Sequence, residues 1–361
     1  MRFAFVLTNL AGGGAEKAIL KLAAALTGRG HEVEVVLLER HAEHAVPPDV
    51  KVHALGKRIA RGWLGKRLLA GRLHRHLANR HDLMVSTLPF ADEVTALARL
   101  PRHWCRIANT LGAEIDKLAA NSPAKGARRL SRYRRLYGSR PLIAVSQGVA
   151  DDLRQRLPLA SRIETIPNPF DFEAMRRAAL DSSPNAPADL PRQPYVVHVG
   201  RFAPQKRHDL LLDAWARLDT DRLLVLLAEP DPKLQAMIDA RGLGGRVRIA
   251  GFQANPYPWI AGADLLVLCS DHEGLPNVLI EALGCGTPAV STDCPSGPRE
   301  ILAAFPECLV PRGDTEALAA TIGGALRKPP DPGRADLSAY SVEAVAKAYE
   351  ALAAEARREG E

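Results

Sequence analysis

Aromatic residues are scarce in this chain, at 5%, which argues against the stacking platforms that bind single-stranded nucleic acid. The five cysteines (Cys105, Cys269, Cys285, Cys294, Cys308) form no CxxC pair and are odd in number. Neither a disulfide framework nor a zinc site is indicated, and a reducing, cytoplasmic setting fits. No apolar stretch approaches ~18 uninterrupted residues, so no helical membrane span is expected. The apolar start Met1–Leu7 is too short for a signal peptide and passes at once into Asn9 and a glycine loop. Gly12-x-Gly14 lacks the third glycine of a dinucleotide site, and there is no Walker lysine. Helix-turn-helix, zinc-finger and RNA-binding motifs are also missing. No DxD lies at a strand end, and His74 and His76 sit in a basic run as expected surface residues, so no metal ligand is assigned.

At 361 residues, 47% apolar and 25% charged, the chain suits two α/β domains. The net charge of +7 is unevenly spread. Lys57, Arg58, Arg61, Lys66, Arg67, Arg72, Arg75 and Arg80 occur with no acid among them, and Arg128, Arg129, Arg132, Arg134, Arg135 and Arg140 follow. Such surfaces invite an anionic partner.

The first forty residues spell strand (Phe3–Leu7), glycine turn, amphipathic helix (Ala15–Leu26) and strand (Val33–Leu38). Apolar runs recur at Leu83–Ser86, Arg106–Ala108 and Leu142–Val145. Prolines 167, 169, 184, 187 and 191 mark a boundary within Ile166–Arg192. A second series follows: Tyr195–Val199, Leu223–Leu227, Val247–Ile249, Leu265–Leu268, Ala289–Ser291 and Cys308–Val310, closed by a helix over Val342–Arg358. Strands alternating with helices predict two doubly wound parallel sheets in tandem, with a cleft between the domains.

Open parallel sheets bind ligands beyond the carboxyl ends of their strands. After Tyr195–Val199 come Gly200, Arg201 and Lys206, two cations suited to a diphosphate leaving group. After Leu265–Leu268 comes Ser270-Asp271-His272-Glu273-Gly274-Leu275-Pro276-Asn277, then Glu281. Pro276 suits the first turn of a helix, whose free N–H groups around Leu275–Asn277 form an anion site. Gly274 permits close approach of a ligand. Glu281 shares a face with Asn277 by i, i+4 spacing. Two carboxylates would repel phosphate, so Glu273 and Glu281 are better suited to hydroxyls of a sugar and a ribose.

Here the sequence resembles the retaining glycosyltransferases of family 4 (group 1) with the GT-B fold, over nearly the whole chain. The resemblance rests on Glu273-x7-Glu281 within SDHEGLPNVLIEALGCGTPAVSTD, on VGRFAPQK (Val199–Lys206), on GGGAEK (Gly12–Lys17), and on VSQGVADDL with IPNP (Val145–Leu153, Ile166–Pro169). It implies an N-terminal acceptor-side domain over residues 1–168 and a nucleotide-sugar domain over 169–341. The final helix, about 342–361, would cross back to the first domain. It further implies that Glu273 contacts the donor sugar, with Gly274, Leu275, Pro276 and Asn277 bordering sugar and diphosphate. Glu281 would hold the ribose, Arg201 and Lys206 the diphosphate, and Gly13 and Gly14 the distal phosphate. Backbone of Arg248–Phe252 would cup the base, and Ser296, Gly297 and Glu300 would sit at the same mouth.

Three departures stand out. Ala228-Glu229-Pro230 replaces a common Gly-x-Gly, leaving base and ribose contacts there unassigned. Arg106-Ile107-Ala108-Asn109-Thr110 stands where many members carry a histidine, so no catalytic histidine is assigned. Lys206 is followed by Arg207 instead of glycine.

The expected activity is metal-independent, retaining transfer of a hexose or N-acetylhexosamine, from a UDP-sugar or another nucleotide-sugar, to a glycan or lipid-linked acceptor of bacterial surface polysaccharide. No cofactor beyond the donor substrate is expected. In Lys57–Arg80, Ile59, Trp63, Leu64, Leu68, Leu69, Leu73 and Leu77 recur at helical spacing among cations. That pattern fits an interfacial helix on anionic lipid, giving a peripheral membrane protein, and equally an ordinary packed helix. A nucleotide-sugar epimerase, a phosphorylase or a basic nucleic-acid-binding protein are the competing readings.

Overall fold

The computed structural model describes residues 1–11, 13–41, 45–57, 59–78, 80–157, 162–180 and 189–358. Gly12, Arg58, Pro184 and Pro187, used above, lie outside them. The chain forms two compact units, Met1–Phe170 with Ser338–Glu361, and Asp171–Leu337. The first unit thus runs two residues past 168, and the returning segment starts at Ser338, ahead of the final helix.

The first unit holds a parallel sheet of β1 (Arg2–Leu7), β2 (Glu32–Leu37), β3 (Lys51–Ala54), β4 (Leu83–Thr87), β5 (His103–Ile107), β6 (Leu142–Ala144) and β7 (Ile163–Thr165), in the order β3-β2-β1-β4-β5-β6-β7. Both faces of the central strands are apolar because helices cover both. Phe3, Phe5, Leu7, Val33, Val35 and Leu37 share one core with helices Gly14–Gly28 and Val342–Arg358. Ala4, Val6, Val36 and Leu38 share the other with helices Trp63–Leu77 and Pro89–Ala98. The second unit holds β8 (Tyr195–Val199), β9 (Leu223–Leu227), β10 (Val247–Ile249), β11 (Leu265–Leu268), β12 (Ala289–Thr292) and β13 (Leu309–Val310), ordered β10-β9-β8-β11-β12-β13.

Strand β5 begins three residues before the expected Arg106. His103 and Arg106 are polar but buried, so they interrupt the apolar run that marks a strand. Ser86 Oγ donates to Asp92 Oδ1 at 2.5 Å and lies 2.8 Å from His103 Nε2. Burial pushes Asp92 up to about 7 and His103 down to about 3. Arg106 is fully buried, its guanidinium donating to Asn168 Oδ1 of the IPNP segment.

Helix Trp63–Leu77 divides its apolar pattern between a buried and an exposed set. Leu69, Leu73 and Leu77 pack inward at i, i+4 spacing, whereas Trp63, Leu64 and Leu68 remain 65–69% exposed. His76 is not the simple surface residue expected, because it is half-buried with its Nε2 2.6 Å from Glu34 Oε1. His74 stays exposed, its Nδ1 2.9 Å from Ala98 O.

The final helix buries Val345, Ala346, Tyr349, Leu352, Ala353 and Ala356 on one face. Glu350 fixes its register, accepting from Arg29 Nε at 2.6 Å with His31 Nε2 at 2.7 Å. Arg29, then His31, hold the Glu350 carboxyl down to about 2. An unfolded glutamate titrates near ~4.3. Because the folded value is depressed, this stabilisation is complete above about pH 4.5 and is lost as pH falls toward about 2. Glu350→Gln should therefore cost about 0.2–1 kcal/mol in urea unfolding at pH 7, with the deficit shrinking at pH 3. An equal deficit at both pH values would mean that packing, and not charge, holds the helix.

Candidate active site

In a doubly wound sheet the connections diverge where strand order reverses, and a crevice opens there. In the second unit that point lies between β8 and β11, paired in parallel with Leu265 opposite Val196 and Leu266 opposite Val197. The two loops singled out in the sequence, 200–207 and 270–276, leave these two strands side by side.

Four side-chain and backbone bonds stitch the loops together. Asp271 N donates to Gln205 O at 2.9 Å, and Gln205 Nε2 donates to His272 O at 2.5 Å. Arg207 donates to Asp271 Oδ1 at 3.0 Å, and Lys206 Nζ reaches Glu273 Oε1 at 2.6 Å. Ser270 Oγ donates to the same Glu273 oxygen at 2.6 Å. The Lys206 and Glu273 side chains are only 20% and 11% exposed, so each charge depends on the other for compensation. Beneath them lie His198 and His208, with ring centroids 4.7 Å apart. Burial, with Lys206 contributing, pushes both downward, His208 to about 4, so both are neutral at pH 7.

The left-handed turn falls at Arg207, with φ 51° and ψ 49°, and Gly200 is not among the positive-φ residues. Arg207 therefore occupies a conformation that suits glycine. Its guanidinium offsets that cost by binding Asp209, at 2.8 to 3.1 Å, as well as Asp271. Gly297, at φ 97°, has a clearer need for glycine, because a Cβ there would run into Pro276 Cδ. The 294–300 loop thus presses on the start of helix Asn277–Gly284, and Glu273 N donates to Pro295 O at 3.3 Å. Pro276 lies one residue before the position expected: it caps this helix and Asn277 begins it.

The structure thus joins Lys206, Glu273, Gly274, Leu275, Pro276 and Asn277 at one strand mouth. Glu281 follows half-buried on the same helix, one turn from Asn277, near Tyr257, whose hydroxyl pKa is raised by burial and then by Glu281. Arg201 lies in the β8 loop, exposed and without an ion-pair partner among the described residues. Arg248 does not join the group: it lies on edge strand β10, 3.4 Å from Asp189 Oδ2 and over the Trp259 ring. Gly13 and Gly14 are exposed in the first unit, at the start of helix Gly14–Gly28. Sequence reasoning gave no role to Ser270, Asp271, or Arg312, which donates to Asp271 O at 3.1 Å. Ser270 and Asp271 open the quoted motif, but only their partners reveal what they do.

Arg207 allows a test of this loop. Arg207→Ala removes the clamp and keeps the left-handed backbone, whereas Arg207→Gly removes the clamp and relieves the backbone. The glycine variant should be more stable than the alanine variant by about 1 kcal/mol in chemical unfolding. Equal stabilities would mean the backbone is not strained there.

Two family models match the chain, "Glycosyl transferases group 1" over residues 193–328 and "Glycosyltransferase Family 4" over residues 12–174. Among curated relatives, the chain is 36% identical over 160 residues to N-acetylgalactosamine-N,N'-diacetylbacillosaminyl-diphospho-undecaprenol 4-alpha-N-acetylgalactosaminyltransferase of Campylobacter jejuni, covering 43% of this chain and 42% of that one. It is 40% identical over 120 residues to the lipopolysaccharide core biosynthesis glycosyltransferase LpsE of Rhizobium meliloti, 33% of each chain. The chain therefore aligns with less than half the length of either relative. Anabaena HepE, solved with UDP and glucose, superposes with a TM-score of 0.67 at 20% identity, over 99% of this chain and 98% of that one. The two sheets are thus those of the expected GT-B class. Together the two family models span more than half of the chain and include both strand-mouth loops, and the protein belongs to the family-4, group 1 glycosyltransferases.

Proposed function

We propose that this chain is a retaining glycosyltransferase that moves a hexose or N-acetylhexosamine from a UDP-sugar to a glycan or lipid-linked acceptor in bacterial surface-polysaccharide synthesis. The observation that carries this reading is the Lys206–Glu273 pair at the β8/β11 crossover, beside a helix N-terminus. The relatives' names support the substrate classes, since one acts on a diphospho-undecaprenol-linked sugar and another structure holds UDP and glucose.

As the bond to the sugar breaks, negative charge grows on the diphosphate. Lys206, Arg201 and the first-turn amides around Leu275–Asn277 compensate it, so no divalent ion is required. A carboxylate accepts from several donors at once, so Glu273 holds Lys206 in place and takes a sugar hydroxyl. Glu281 binds the ribose hydroxyls, and the backbone of Arg248–Phe252 borders the base. Gly13 and Gly14 bring main-chain N–H groups to the distal phosphate. The acceptor hydroxyl attacks from the face that the diphosphate leaves, and a phosphate oxygen takes its proton.

A thermal-shift screen of UDP-, GDP-, ADP- and dTDP-sugars should single out UDP-sugars. Glu281→Ala should weaken that donor about tenfold or more, the scale of a lost hydrogen bond to a charged group. Lys206→Ala should lower kcat about 100-fold. Transfer should persist in EDTA and keep the anomeric configuration by NMR. Unchanged donor affinity in Glu281→Ala, or an inverted product, would overturn the residue roles or the stereochemistry.

The first unit carries the features of the acceptor side. Among the described residues no helix is long and apolar enough to cross a membrane. Exposed Trp63, Leu64 and Leu68 lie among Arg61, Arg67, Arg72 and Arg75. Lys66 of this helix and Arg132 of the second basic segment, helix Pro123–Tyr137, both pair with Glu93 of helix Pro89–Ala98. The two clusters thus meet at Glu93, and the apolar tip with its surrounding arginines is complementary to anionic lipid. The protein should float with phosphatidylglycerol vesicles at low salt and release at high salt, and Trp63→Ser with Leu68→Ser should abolish flotation. Failure of the wild type to float at low salt would reject the membrane role.

A further inference from the structure

A second cluster of polar side chains lies in the first unit, at the β3 edge of the sheet. Glu34 of β2 faces the same side as Val36 and Leu38, the side covered by helix Trp63–Leu77. His53 of β3 is paired opposite Val36, so its side chain emerges on that side too. His76 comes down from the helix, one position before the core residue Leu77. The donor atoms of Glu34, His53 and His76 all lie within 4.8 Å of one another. His76 Nε2 is 2.6 Å from Glu34 Oε1, and the His53 and His76 rings stack with centroids 4.2 Å apart and planes 12° from parallel. On the other carboxylate oxygen, Glu34 Oε2, His81 Nε2 sits at 3.8 Å.

We propose that Glu34, His53 and His76 form a site for a divalent transition-metal ion that ties helix Trp63–Leu77 to the sheet edge. A hydrogen bond between His76 and Glu34 needs no third group. A second imidazole, with a nitrogen within 4.8 Å of both the Glu34 carboxylate and the His76 ring nitrogen, is what that bond leaves unexplained. Two imidazoles and one carboxylate match the borderline character of Zn²⁺, Co²⁺ or Ni²⁺, with water completing a tetrahedron. Metal–ligand distances of about 2.0–2.2 Å place donors about 3.3 Å apart. An imidazole ligand holds its metal in the ring plane, so His53, exposed on an edge strand, swings out of the stack to bring its nitrogen to that spacing. The ion is structural, because none of these residues belongs to the strand mouth that binds the donor.

The test is titration of EDTA-treated full-length protein with Co²⁺, followed by absorption, and with Zn²⁺, followed by calorimetry. One equivalent should bind saturably, give a tetrahedral Co²⁺ spectrum and raise Tm. His53→Ala changes an exposed residue and should fold normally, yet it should abolish both the spectrum and the Tm gain. His76→Asn should do the same. Lys206→Ala should bind the metal as the wild type does, whatever its effect on transfer. Absence of saturable binding, or binding unaffected by His53→Ala and His76→Asn together, would overturn the site.

Discussion

The ion pair between Lys206 and Glu273 is the constraint on which the second unit's site depends. It joins residues 67 apart in sequence and withdraws both charges from most of the solvent. Breaking such a pair by removing one partner leaves a costly buried charge, so the surrounding loops must hold their shape. Ser270 shares the same carboxylate oxygen, Arg207 and Gln205 bridge the same two loops, and Gly297 lets the 294–300 loop close on Pro276. The parallel pairing of β8 with β11 makes this possible, because it places two loops from distant sequence at one sheet edge.

Arg207 shows how a departure from a family pattern can be absorbed. The backbone at this position is left-handed, which explains why glycine is the common residue. Here arginine takes that conformation, and its guanidinium binds Asp209 and Asp271. A backbone need was thus met with a side-chain clamp that also ties β8 to β11. The first unit shows a related economy at Arg106, where a buried guanidinium holds the IPNP segment through Asn168.

Much of this was legible in the sequence because central strands of a parallel sheet are apolar on both faces. The central strands Tyr195–Val199, Leu223–Leu227 and Leu265–Leu268 have the ends expected, and so does the edge strand Val247–Ile249. β3 and β7 carry no such signal, since edge strands reading KVHA and IET stay exposed or half-buried and have no apolar run. β5 starts ahead of its apolar run because His103 and Arg106 are buried through hydrogen bonds that local sequence does not display. At the site, the motifs gave the residues but not their mutual arrangement. That Lys206 already binds Glu273, or that Glu34, His53 and His76 converge, depends on strand order and register, which spacing along the chain does not encode.

The measurement that bears most directly on the central claim is a structure of the protein with an intact UDP-sugar. The diphosphate should lie within about 3 Å of Lys206 Nζ and the first-turn amides near Asn277, with a sugar hydroxyl on Glu273 and the ribose on Glu281. A nucleotide bound elsewhere, with the Lys206–Glu273 pair untouched by ligand, would contradict the account.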